Sequence, residues 1–161
     1  MTNEQVYPLM KSLKEVYPLL EQEPPYGNDD DAAWDDYYAK SEPTYKSLVE
    51  SMGVDVLHSK FCGQYQGDAV FVLKRASFYG WLVFGYGSYS GCDALEASRS
   101  FEALDRLRTD LYNSIRWFPT KGELLTFLAL WLTEPTTDWY MYDDEIKETT
   151  RKIVDELSIE A

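Results

Sequence analysis

Two apolar runs set close together constrain this chain more than any other feature. Residues 64–74 carry Tyr65, Ala69, Val70, Phe71, Val72 and Leu73, and residues 80–86 carry Trp81, Leu82, Val83 and Phe84, leaving 75–79 for a turn. Short runs rich in β-branched and aromatic side chains on either side of a turn predict an antiparallel hairpin. The runs are continuous rather than alternating. The sheet is therefore expected to be covered on more than one side, or to carry rings on an exposed face. An extra strand is expected at 54–57 or 138–142.

The rest of the pattern is helical. Val6, Leu9, Met10, Leu13, Val16, Tyr17 and Leu20 follow three-four spacing, and Pro8 and Pro18 confine the regular helix to the stretch between them. The Val-Tyr-Pro-Leu tetrapeptide at 6–9 and 16–19 occurs only twice and is read as coincidence. Ser41, Glu42 and Pro43 read as a helix start that Gly53 closes. Phe101, Leu104, Leu107, Leu111 and Ile115 mark a helix capped by Ser100 and stopped by Pro119. Further helices are expected at 122–132 and 143–157, the last acidic at its start and basic at Lys147, Arg151 and Lys152. Strand, strand, loop, helix, helix is not a βαβ order, so the expected class is α+β. We expect one domain over 1–161, made of an N-terminal helix at 1–22, an acidic loop segment at 23–40 whose second half has room for a helix, and a body at 41–161.

Charge narrows function. There are 15 Lys and Arg against 28 Asp and Glu, a formal −13, which opposes nucleic acid and anionic membrane as direct partners. The excess is uneven: Glu21, Glu23, Asp29, Asp30, Asp31, Asp35, Asp36 and Glu42 face Lys40 alone within 21–42, whereas 60–121 is near balance. Aromatic residues make up 16% of the chain, enough that rings must supply both packing and some surface. Two cysteines, Cys62 and Cys92, are too few for a disulfide framework but leave a single bridge open. The opening Met-Thr-Asn-Glu-Gln lacks a secretory pattern and no apolar run approaches a membrane span, so a cytoplasmic setting with reduced thiols is expected.

Two segments are candidate sites. The first is Gly85-Tyr86-Gly87-Ser88-Tyr89-Ser90-Gly91-Cys92-Asp93. Its glycines let backbone amides converge, which suits an anion, but the spacing is neither a dinucleotide fingerprint nor a P-loop, and Tyr89 stands where a nucleophile elbow needs serine. The bland reading is a tight turn capped by Asp93, with Cys92 packed inside. Together with Gly63-Gln64-Tyr65-Gln66-Gly67-Asp68 and Ile115-Arg116-Trp117-Phe118, this loop resembles a group of small phage and bacterial proteins built on a Gly-Ser-Cys-Ser-Gly-Cys-Asp core. That resemblance spans about residues 63–130 and implies a phage or bacterial origin without assigning an activity. Tyr89 replaces the first cysteine of the core, which removes any two-cysteine role. Cys92 with His58 as base would make a thiol nucleophile, and His58, Cys62, Cys92 and Asp93 a four-ligand set, but neither matches a known signature. No cofactor or metal is expected.

The second segment interleaves Asp29, Asp30, Asp31, Asp35 and Asp36 with Trp34, Tyr37 and Tyr38. Carboxylates would steer a basic partner and rings would anchor it, whereas the bland reading is a solvated loop. The leading expectation is a non-enzymatic acidic module that binds a protein with a basic surface, such as a phage-encoded inhibitor of a host or anti-phage defence protein, in part by imitating the charge of DNA. An immunity protein against a basic toxin would look the same. An enzyme or anion binder using 85–93 is the alternative.

Overall fold

A computed structural model describes residues 9–63, 66–87, 93–134 and 143–159. The apolar runs form β2 (Gly67–Arg75) and β3 (Phe78–Tyr86), joined antiparallel through Ala76 and Ser77, with Ala76 at φ 52°. The turn is tighter than the expected 75–79 because Arg75 and Phe78 still pair. The anticipated extra strand is β1 (Asp55–Gly63), longer than 54–57, and it pairs with β2 through a register shift between Val56 and His58. A fourth strand, β4 (Arg116–Phe118), stands where the sequence suggested only the end of a helix. Sheet order is β1-β2-β3-β4. The alternative strand position 138–142 lies outside the described residues.

The continuous runs are explained by burial on both faces, as expected for a sheet covered twice. Ala69, Phe71 and Leu73 face one core, with Leu82 and Trp117 beside them. Helices α1 (Leu13–Val16), α3 (Tyr45–Glu50), α4 (Ala94–Ala97) and α5 (Phe101–Ser114) supply that layer. Val70, Val72, Trp81 and Cys62 face a second core built from α6 (Lys121–Thr133) and α7 (Asp143–Ile159). Gly80 is small for a reason: a Cβ there would meet Ile115 Cγ2 at 2.9 Å and the Trp117 ring at 3.0 Å. The class is α+β, and among the described residues no helix is long and apolar enough to cross a membrane.

Two local expectations are corrected. The helix between Pro8 and Pro18 is a single turn, because the Lys11 N–H donates to Ser51 O at 2.8 Å and its carbonyl accepts from Arg108 Nη1 at 2.7 Å. Those groups, spent on other elements, cannot enter a helical ladder. The helix expected from Ser41 starts instead after Thr44, whose hydroxyl and that of Ser47 form a reciprocal capping box. Ser41 closes the preceding helix, α2 (Asp31–Ser41), which is the helical second half of the acidic segment. Gly53, at φ +76°, ends the α3 region, and a Cβ on it would lie 2.5 Å from Leu9 O.

Candidate functional site

The acidic segment is ordered by its own polar groups. Pro24 and Pro25 lead into a turn at Gly27, whose φ of +80° suits glycine. Asn28 Oδ1 accepts from the Asp30 N–H at 2.8 Å, and Asp30 Oδ1 accepts from the Ala32 N–H at 3.1 Å, so two successive Asx contacts cap α2. Asp30 and Asp31 sit at the positive end of the helix dipole and Lys40 at the negative end, where it pairs with Asp36 at 2.7 Å.

Trp34, Tyr37 and Tyr38 share one helix face by their three-four spacing. Trp34 Nε1 donates to Asn28 O at 2.8 Å, and Tyr37 Oη donates to Gln22 O at 3.2 Å, pinning α2 to the chain before it. The three rings contact one another with centroids 5.7 to 6.4 Å apart, and Tyr26 adds a fourth, edge-on to Trp34 at 6.2 Å. Tyr26 is 76% exposed and Tyr38 45%, and none of the four rings joins either core. Asp31 and Asp35 are exposed on the same helix, and Asp29 is exposed in the segment that leads into it. Six of the eight expected partner-binding residues thus lie on α2, with Asp30 as its N-cap and Asp29 just before it. Tyr26 escaped sequence reasoning because it lies four residues upstream of the helix cap, joined to the rings by the turn at Gly27.

The glycine-rich segment is described at Gly85, Tyr86, Gly87 and Asp93, and Ser88, Tyr89, Ser90, Gly91 and Cys92 lie outside the described residues. Asp93 is buried and fully engaged. Its Oδ1 accepts from Tyr45 Oη at 2.5 Å and from the Gly87 N–H at 3.1 Å, and its Oδ2 accepts from the Glu96 N–H at 3.1 Å, capping α4. The Gly87 amide is therefore spent on a carboxylate rather than offered to an anion. Burial first, and the Asp93 hydrogen bond second, raise the Tyr45 phenol well above its ordinary value and keep it a donor.

Around this staple opens a cavity of about 520 Å³. Tyr45, Phe61, Tyr86 and Leu95 line it, with Glu42, Glu96 and Arg99 among its polar residues. A second, more open depression of about 1150 Å³ lies along β4 and α6, where Arg116 stacks over Phe127 at 4.5 Å.

The four-ligand metal set does not come together, and the pairing of Cys92 with His58 falls on a residue outside the described ones. His58 and Cys62 lie on a strand rather than a helix, about 13 Å apart at ordinary strand rise, so they cannot share one ion. His58 Nδ1 is 3.2 Å from Glu156 on α7, and Cys62 Sγ is 3.7 Å from Thr149 Oγ1. Asp93 is on the opposite face of the sheet, against Tyr45. Cys62 is a buried free thiol whose ionisation burial pushes up. Among the described residues no group of three His, Cys, Asp or Glu stands ready to hold a metal. No protein family, curated protein or solved structure matches the chain.

Proposed function

We propose that this chain is a non-enzymatic binding module that docks a protein with a basic surface through α2 and the turn before it, and so inhibits that protein. The observation behind this reading is the four-ring cluster of Tyr26, Trp34, Tyr37 and Tyr38. It is held together by defined hydrogen bonds, remains outside both cores, and is flanked by Asp29, Asp31 and Asp35. Aromatic anchors beside unpaired carboxylates are what a charged interface uses for contact area and for steering respectively.

Charge density favours steering over imitation of DNA. An eleven-residue helix is about 16 Å long, and duplex DNA of that length carries about ten negative charges. Helix α2 has Asp31, Asp35 and Asp36, the last paired with Lys40. The resemblance of the central segment to small phage and bacterial proteins supports a host or anti-phage defence protein as target. A basic toxin masked by an immunity protein would be met by the same surface.

The test compares the wild-type chain with one carrying Asn at Asp29, Asp30, Asp31, Asp35 and Asp36 as bait for host and infected lysates. Asparagine accepts hydrogen bonds at an N-cap as well as aspartate does, so the cap at Asp30 survives. We expect a basic protein retained by the wild type at low salt and lost by the variant. Equal retention by both would overturn the proposal.

A further inference from the structure

The cavity beside α2 has a ligand chemistry of its own. Glu42 is the C-cap of α2 and also lines the cavity, so the acidic helix leads directly into it. Phe61 is 37% exposed and lies against Tyr45 at 6.4 Å and Tyr86 at 5.3 Å. Both phenol groups are held by the protein: Tyr45 Oη donates to Asp93 and Tyr86 Oη to Cys62 O. The rings are thus fixed in place and offer π surface rather than free hydroxyls. Three carboxylates, those of Glu42, Asp93 and Glu96, stand against the single guanidinium of Arg99 among the described lining residues. Asp93 is spent on its staple, whereas Glu42 and Glu96 carry no described side-chain partner.

An anion would meet this excess of negative charge and find the Gly87 amide already taken. A purely apolar ligand would leave the two glutamates unused. A planar cation fits both features, because a guanidinium stacks on an aromatic ring and accepts a bidentate carboxylate. The volume of about 520 Å³ lies within the range of roughly 300–1,000 Å³ usual for small-ligand pockets. It exceeds a single side chain and leaves room for the backbone that bears it.

We propose that this cavity receives an arginine side chain of the basic partner, stacked on Phe61 and Tyr86 and paired with Glu42 or Glu96. The inference rests on the docking reading and adds to it the residue that is anchored. Glu42, Glu96 and Arg99 are all exposed, so screening acts on the three alike and leaves the two carboxylates in excess of the one guanidinium, while α2 supplies the approach.

The probe is N-acetylarginine amide, with its uncharged citrulline counterpart as control, titrated into the isotopically labelled full chain. The readout is the amide signals of Gly87 and Glu96, both bonded to Asp93 at the cavity wall. We expect saturable shifts with the arginine probe and none with citrulline. Binding should weaken about three- to tenfold in Glu42→Gln, Glu96→Gln protein, as the loss of one or two partly exposed charge pairs implies. Phe61→Ala should abolish it, and the glutamine variant keeps the test decisive if that alanine variant folds poorly. Equal binding of citrulline, shifts indifferent to both glutamates, or no saturation would overturn the proposal. The two readings fail separately. Capture of a basic protein by a chain whose cavity ignores arginine leaves the docking reading standing alone. Arginine binding at the cavity without capture leaves an arginine site and removes the inhibitor.

Discussion

The Tyr45 hydroxyl offers a single-atom test of how the cavity wall is built. Tyr45→Phe keeps the ring, and with it the contacts to Phe84 at 4.8 Å and Phe61 at 6.4 Å. What it removes is the donor to buried Asp93 and the acceptor of the Leu95 N–H at 3.3 Å. A hydrogen bond to a charged group contributes about 1.5–3 kcal/mol, and Asp93 keeps two backbone donors, so a loss of about 2 kcal/mol at pH 7 is expected. The pH dependence supplies an independent sign. The phenol is raised from 10.0 in the folded state, so above pH 10 the unfolded chain sheds a proton that the folded chain keeps. Wild-type stability falls there through Tyr45, whereas the variant lacks that loss, and its deficit should narrow by about 1 kcal/mol between pH 10 and 11. Tyr17 and Tyr112, also raised by burial, contribute a background slope common to both proteins. Urea unfolding followed by tryptophan fluorescence at pH 7, 10 and 11 measures both quantities. A deficit below about 0.5 kcal/mol at pH 7, or one that does not shrink above pH 10, refutes the staple.

Gly53→Ala should cost about 1–3 kcal/mol and lower the melting temperature, because the residue sits at φ +76° and its Cβ would lie 2.5 Å from Leu9 O. An unchanged melt would mean that residues 9–12 can lift away freely. Trp34→Ala should reduce the near-ultraviolet circular dichroism of the ring cluster and weaken partner capture while costing less than about 1 kcal/mol of global stability, since its ring belongs to neither core. A large loss of stability would make the cluster structural instead. Cys62, buried at 0% exposure, should react with a thiol reagent in a Cys92→Ser background only as fast as the sheet opens, with labelling accelerated by urea. Labelling at the rate of a free peptide thiol would contradict its placement on β1 against α7.

What could be read from the chain was whatever local chemistry decides. The hairpin was legible because β-branched and aromatic residues cluster on both sides of a short turn, and the Ser100 cap because serine precedes an amphipathic run. Strand β4 was not, since three residues of Arg-Trp-Phe become a strand only by pairing with β3, and the clue was the bare Gly80 that the Trp117 ring covers. The first helix was overcalled because its apolar spacing is real, yet the Lys11 backbone is claimed by Ser51 and Arg108, partners far away in sequence. At the candidate site the acids and three rings were legible as composition. Their common face, the cap at Asp30 and the fourth ring depended on backbone geometry. The cavity was legible only at the segment 85–93: its lining comes from four separated stretches, around Glu42, Phe61, Tyr86 and Glu96, that only the folded sheet brings together.

That division of labour between helix and cavity has a kinetic consequence. The carboxylates of α2 are exposed and their field is screened within about 10 Å at 0.1 M salt, so in the proposed docking they would act chiefly on encounter rate. An arginine enclosed by Phe61, Tyr86 and a glutamate is partly desolvated, and its loss acts on dissociation. The Thr44–Ser47 capping box joins the two by fixing the angle at which α2 leaves and α3 enters, with Glu42 at the junction. With a partner in hand, added salt and the five Asn substitutions should therefore slow association several-fold and leave dissociation nearly unchanged. Glu42→Gln with Glu96→Gln should speed dissociation and spare association. If the two variants moved the same rate constant, helix and cavity would be one patch of surface rather than a guide and an anchor.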